Sequence, residues 1–300
     1  MQVSTKLYMQ QSIDRFNEMT ADIQKLQTRI ATGQNILKAS DDPVSAANIA
    51  YVKDQKTMLQ RFDRNIDRGM IRLGETETAL DSAVNIMTRI YELTIQGATD
   101  SINVSDRKAI SMEISQLRES LFNIANTKDV NGDYLFAGYK TSTKPFEMDE
   151  EDKVKYHGDR GVHSVQISDF QRMTTGLSGV DAFQAVDTGE KKESVFSIIE
   201  KIVEEHDAGN SASQYIDQIN AGLENLTIQQ TKVGAQLNKA EQQKLVIENR
   251  ILLMNENLSN VEDADISKLV SELQSQMLNR EAAQRTFAMV GQKSLFDYLR

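Results

Sequence analysis

Only three side chains in this sequence titrate near neutrality without help, His157, His163 and His206. They are scattered, and none belongs to a His-Glu-x-x-His pattern on one helix face. His157 and His163 are close enough to meet on neighbouring strands and hold a metal. They lack a matched acidic or thiol ligand, so the expectation is two ordinary polar side chains. The run Asp149-Glu150-Glu151-Asp152 has charge for calcium but not the alternate-position spacing of a calcium loop, and reads as a solvated loop. Asp129-Val130-Asn131-Gly132-Asp133 fails the same spacing and reads as a turn. There is no glycine-rich phosphate loop ending in Lys-Ser or Lys-Thr, and no nucleophile elbow. With no cysteine, a disulfide framework, a Cys-zinc site and a thiol nucleophile are excluded. The expectation is a protein without catalytic residues, metal or cofactor.

The bulk properties point to structure and not chemistry. The 300 residues include 34 basic and 44 acidic side chains, giving a net charge of −10. Net acidity argues against nucleic acid as the main ligand. No run of 18 or more apolar residues exists, which argues against a membrane span. Residues 1–40 carry five basic and three acidic groups, as do residues 266–300, so each end is +2 and the middle, 41–265, carries −14. Copies of the chain would repel through the middle more than through the ends.

The elements that must carry any function are helical. Met9, Ile13, Phe16, Met19, Ile23, Leu26 and Ile30 recur at steps of three or four. A second stripe runs Leu59, Phe62, Ile66, Met70, Leu73, Glu77, Leu80, Val84, Met87 and Tyr91. A third is Ile110, Ile114, Leu117, Leu121 and Ile124. The fourth runs from Ile216 to Leu258 with Gln230 and Lys244 as polar members. The last includes Ile266, Leu269, Leu273, Phe287 and Leu295. A seven-residue repeat makes a narrow seam that another helix must cover. Glu77, Gln230 and Lys244 either fix register or face solvent. Ser40-Asp41-Asp42-Pro43 is a helix start, with an acidic cap and a proline in the first turn. Ser105-Asp106 is expected to start the third helix, and Glu262-Asp263-Ala264-Asp265 to separate the last two. Seven of the fifteen glycines fall between Gly132 and Gly189, so 139–189 is expected to be a small β-rich insert. The fold class is therefore mainly α: an elongated antiparallel helical bundle or coiled coil from both chain halves, with that insert. The expected domains are 1–40, 41–138 with 190–265, 139–189, and 266–300 pairing with 1–40.

Three words in this sequence resemble the flagellin superfamily. Ser40-Asp41-Asp42-Pro43-Val44-Ser45-Ala46-Ala47 is similar to its Asp-Asp turn. Asn131-Gly132-Asp133-Tyr134-Leu135-Phe136-Ala137-Gly138 resembles its Asn-Gly…Phe-Gly hairpin. Val261-Glu262-Asp263-Ala264-Asp265-Ile266 resembles the start of its C-terminal helix. Pro43 after the Asp pair, Thr143-Lys144-Pro145-Phe146 after the hairpin and the ending Ser294-Leu295-Phe296-Asp297-Tyr298-Leu299-Arg300 resemble its hook-associated members more than filament subunits. Residues 147–189 offer few matches.

The resemblance implies a structural component of the bacterial flagellum. Its terminal segments would pair as a coiled coil in the inner tube of the axis, and its insert would face outward. It would be exported unfolded by the flagellar type III route without a cleaved signal, and its C-terminal region would be guarded by a cytoplasmic chaperone. Its partners would be hook-associated protein 1, flagellin and other copies of itself in a ring. Assembly would then rest on Ile13, Phe16, Ile23, Leu26, Ile30, Leu269, Leu273, Phe287, Leu295, Phe296, Tyr298 and Leu299. The rival readings are a minor flagellin and a cytosolic coiled-coil adaptor.

Overall fold

A seven-residue spacing explains the longest helices. The computed structural model describes residues 2–99, 101–189 and 191–296, with side chains described between 6 and 289. In α2 (Pro43–Ala98) one buried row is Leu59, Ile66, Leu73, Leu80, Met87 and Thr94, each seven residues from the last. The row beside it is Phe62, Gly69, Thr76, Ala83, Ile90 and Gly97. The stripe expected from apolar spacing placed this second row one residue later, at Met70, Glu77, Val84 and Tyr91, which are only half-buried. Small residues carry little hydropathy, yet they let a neighbouring element approach closely.

In α5 (Ile216–Glu262) the buried row is Ile219, Leu226, Val233, Ala240 and Ile247. The polar seam members settle the register against α2. Gln230 Nε2 donates to Asp81 Oδ1 at 3.2 Å, and Lys244 Nζ meets Asp67 Oδ1 at 2.6 Å. Moving fourteen residues forward on α5 moves fourteen back on α2, so the two run antiparallel in one fixed register. Glu77 sits between these pairs, opposite Gly234.

The chain folds as two compact units, Leu59–Asn249 and Met1–Met58 with Arg250–Arg300. In the central unit, α3 (Val104–Ala125) packs on α4 (Val195–Asp207). Helix α3 starts earlier than Ser105, because the Asn103 side chain accepts from the Asp106 N–H at 2.8 Å and caps it. Between α3 and α4 lie three antiparallel strand pairs: β1 (Phe146–Met148) with β2 (Val154–Tyr156), β3 (Ser164–Gln166) with β4 (Arg172–Thr174), and β5 (Val186–Asp187) with β6 (Lys192–Glu193). Their core is aromatic. Phe136, Phe146, Phe183 and Phe196 are buried, with the Phe183 ring 5.3, 5.5 and 5.9 Å from Phe136, Phe146 and Phe196.

His206 closes one side of this unit and is wholly enclosed. Its Nδ1 lies 3.3 Å from the Asn210 carbonyl, which assigns the proton to Nδ1. Its Nε2 is buried against Gly97 without a hydrogen-bond partner. Burial lowers its pKa below the ordinary imidazole value, because a second proton on Nε2 would charge an enclosed ring. The unfolded chain therefore takes up a proton first as pH falls. Stability is unaffected above about pH 6.5 and is lost below it, down through the folded-state value. The melting temperature is expected to drop by a few degrees from about pH 7 to about pH 5. A His206→Gln variant, which has no titrating ring, should lose part of that drop in the same scan.

In the terminal unit, α1 (Gln2–Thr32) packs on α6 (Ile266–Phe296). Helix α1 ends at Gly33, whose φ of +70° lets its N–H return to the Arg29 carbonyl at 2.9 Å.

Candidate assembly surface

The Asp-Asp turn builds the start of α2. Asp42 Oδ1 accepts from the Val44 and Ser45 N–H groups at 3.1 Å each, and Pro43 takes the first helical position, where a missing N–H costs nothing. The Ser45 bonds hold the Asp42 pKa low. Asp41 does something different. Its Oδ1 pairs with Lys25 Nζ of α1 at 2.7 Å and its Oδ2 accepts from the Lys38 N–H, and the Lys25 bond is the main reason its pKa is lowered. Ser40 is an exposed turn residue. Asp42→Ala is expected to lower the melting temperature of the terminal unit by about 2–4 °C, and Asp42→Asn to leave it nearly unchanged. Calorimetry of the three proteins, with and without added calcium, checks this, and equal loss in both variants would refute capping.

The loops joining α1 to α2 and α5 to α6 are laced together. The Asn35 N–H donates to the Glu262 carbonyl at 2.7 Å, and the Ala264 N–H to the Gly33 carbonyl at 2.9 Å. Glu262 Oε1 accepts from both Gln34 Nε2 and Lys53 Nζ at 2.8 Å. Asp265 Oδ1 accepts from the Lys268 N–H at 3.0 Å and caps α6. The role of Glu262 depends on partners more than two hundred residues away, so local sequence carries no signal for it.

Below the loops, α1 and α6 run antiparallel. Ile23, Leu26 and Leu269 are buried, and Ile30, Leu273, Phe16 and Phe287 are half-buried. Phe16 meets the Phe287 ring edge-on at 5.8 Å, and Tyr8 stacks on it at 6.5 Å. Tyr8 was not among the expected assembly residues, because it lies one position off the Met9 row. Ile13 is 48% exposed. Leu7, Met9, Val270, Met277, Leu278 and Met289 are exposed as well. The pair therefore covers one seam and leaves a second set of large apolar side chains in solvent. Leu295 and Phe296 fall in the last turn of α6, where side chains are not described, and Tyr298 and Leu299 lie outside the described residues.

The Asn131–Gly138 segment belongs to the central unit. Asp129 Oδ1 accepts from the Asn131 and Asp133 N–H groups, and Gly132 takes φ +88°. Arg72 fixes this turn to α2 through Asp129 Oδ2 at 2.7 Å and the Tyr134 carbonyl at 3.2 Å. Phe136 enters the aromatic core, and Gly138 closes the segment at φ +71°. His157 follows β2 and His163 precedes β3, on different hairpins, and no group of three or more metal-ligating side chains exists among the described residues. Within 149–152, Asp149 pairs with Lys155, Glu151 with Lys153 and Asp152 with Arg118.

Comparison with known proteins agrees with this architecture. Residues 3–141 match the bacterial flagellin N-terminal helical region. The flagellar hook-associated protein 3 of Escherichia coli is 24% identical over 99% of this chain and 99% of its own. A hook-associated protein 3 crystal structure from Legionella pneumophila covers 71% of this chain and 98% of its own with a TM-score of 0.66 at 18% identity. A putative flagellar hook-associated protein from Vibrio parahaemolyticus covers 74% of this chain and 100% of its own with a TM-score of 0.67 at 20% identity. The regional match, the full-length similarity and the shared fold together make this chain similar to proteins of the flagellin superfamily, among them those named flagellar hook-associated protein 3.

Proposed function

We propose that the chain is a structural component of the flagellum that joins hook-associated protein 1 to the flagellin filament through its terminal helices. The observation that carries this reading is the apolar surface left on α1 and α6, with Leu7 57% and Leu278 67% exposed in a chain that is otherwise strongly acidic. Large apolar side chains left in solvent along a helix pair are the mark of an interaction surface. In this reading 1–40 and 266–300 form the assembly segment, 41–138 with 190–265 the helical domain, and 139–189 the outward insert. Ile13 and its neighbours on that face meet other subunits. The chain reaches the flagellum by type III export, and a cytoplasmic chaperone covers its C-terminal region before export. Its full-length similarity to a flagellar hook-associated protein supports association with other flagellar components.

The test is complementation of a bacterium lacking its hook-associated protein 3. The full chain is expected to restore filaments on hooks, with the chain found by immunogold labelling at the hook–filament boundary. Deleting 295–300 is expected to leave bare hooks and flagellin in the medium while the central unit melts unchanged. Filaments built of this chain alone would favour a minor flagellin, and retention in the cytosol would favour an adaptor.

A further inference from the structure

The tip of the β3–β4 hairpin carries a side chain that the fold does not use. Phe170 is 98% exposed. Its loop is nonetheless ordered: the Ile167 N–H donates to the Gln171 carbonyl at 3.0 Å, and the Gln171 N–H donates to Ser168 Oγ at 3.0 Å. Ile167 beneath is wholly buried. The hairpin is seated on α2 at two points. Gly69 has no room for a Cβ against Met173 and Thr175, and Asn65 Nδ2 donates to the Gln166 carbonyl at 2.9 Å. These points lead from the strands toward the tip as α2 is followed back toward Arg61. Arg68 lines the groove beside Ser164 and Val165, Arg61 and Arg64 lie within about one turn of Asn65 on α2, and Arg172 is on β4. None of these four arginines makes an ion pair among the described residues, whereas the nearby Asp67 is taken by Lys244. Asp169 is the one acidic residue of the tip itself. An ordered aromatic knob in a local field of unpaired arginines is an unusual surface on a chain of net charge −10.

The same unit holds a matching hollow. A cavity of about 650 Å³ lies between α3, α4 and the β1–β2 hairpin. Phe122, Met148 and Val203 line its apolar part, and Glu119, Glu200 and Glu204 supply carboxylates that no cation pairs among the described residues. Glu200 is held above the usual carboxylate range, chiefly by burial. Arg118, only 9% exposed, lines the hollow with its guanidinium held by Asp152.

We propose that the Phe170 tip of one copy docks into the Phe122–Met148–Val203 hollow of a second copy, with arginines facing glutamates. Knob and hollow are different patches, so the contact is head-to-tail, of the kind that builds a ring where its rotation closes. The inference rests on the reading of this chain as a flagellar junction protein that assembles with other subunits. Opposite charge across the rim steers the docking and penalises wrong partners.

The chain has no cysteine, so introduced thiols are unambiguous. Full-length Asp169→Cys and Ser115→Cys chains of different tag length, which keep Phe170 and the apolar wall of the hollow, are mixed and oxidised. A mixed-chain disulfide exceeding both homodisulfides is expected, and the double variant should give a ladder of multimers. Arg64→Glu in the Asp169→Cys chain should cut the mixed yield about tenfold, and Glu204→Arg in its partner should restore it. Homodisulfides alone, or a mixed yield indifferent to Arg64→Glu, would overturn the docking. Complementation separates the two levels. Full filaments from the original chain and equally from Phe170→Ala, with no mixed disulfide, would sink the docking and leave the junction reading intact. No filaments from the original chain, with the mixed disulfide formed, would sink the junction reading and uphold the contact between copies.

Discussion

Replacing Phe183 by Ala is expected to destabilise the central unit by about 3–5 kcal/mol, the range for deleting a fully buried aromatic side chain. Its ring is the hub of the aromatic core, within 6 Å of three others. Those three come from separate places: Phe136 from the segment after α3, Phe146 from β1, and Phe196 from α4. The loss would therefore open a cavity where four segments meet and which no single one can collapse to fill. Phe183→Leu keeps most of the apolar bulk and should cost well under half as much. Urea unfolding of the full chain followed by far-ultraviolet circular dichroism measures both. A loss below about 1 kcal/mol for Phe183→Ala would mean that the cluster is not the core of this unit.

The second large effect is expected at Gly138. An L-residue there must adopt φ +71°, which costs roughly 1–2 kcal/mol by itself. Its Cβ would also overlap both the carbonyl and Oδ1 of Asp159. That carboxylate cannot step aside freely, because it accepts from the Tyr139 N–H at 2.8 Å and the Gly161 N–H at 2.7 Å. Gly138→Ala is therefore expected to cost at least ~2 kcal/mol, strain and displacement combined. Gly132 provides the internal control. It has φ +88° but open space around its would-be Cβ, so Gly132→Ala should show the conformational cost alone. Equal losses at the two glycines would remove the argument from close approach.

The legibility of this fold follows residue size and sequence distance. The α5 row Ile219, Leu226, Val233 and Ile247 was readable because large apolar residues mark it. The second row of α2 was misplaced by one residue because Gly69, Thr76, Ala83 and Gly97 do their packing by being small. The thirteen-residue α4 was not singled out within 190–265, since so short a segment carries few turns of periodicity. The Asp42-Pro43 start was readable because a cap is a contact within three residues. The bonds of Glu262 to Gln34 and Lys53, the hub role of Phe183 and the seating of β3–β4 on Gly69 join residues far apart in sequence. No local pattern encodes them.

The two polar crosslinks between α2 and α5 bear on how the chain finds its pairing. A seam that repeats every seven residues is nearly degenerate: sliding one helix by seven again sets apolar rows against each other. In such a slipped state Lys244 would face Gln60 or Gly74 in place of Asp67, and Gln230 would face Gly74 or Thr88 in place of Asp81. Exposed pairs of this kind contribute little, on the order of 1 kcal/mol for both, which favours the true register roughly fivefold. That margin is small enough for a wrong pairing to anneal. The apolar rows supply most of the adhesion, and the weak polar contacts tell the helices where to stop.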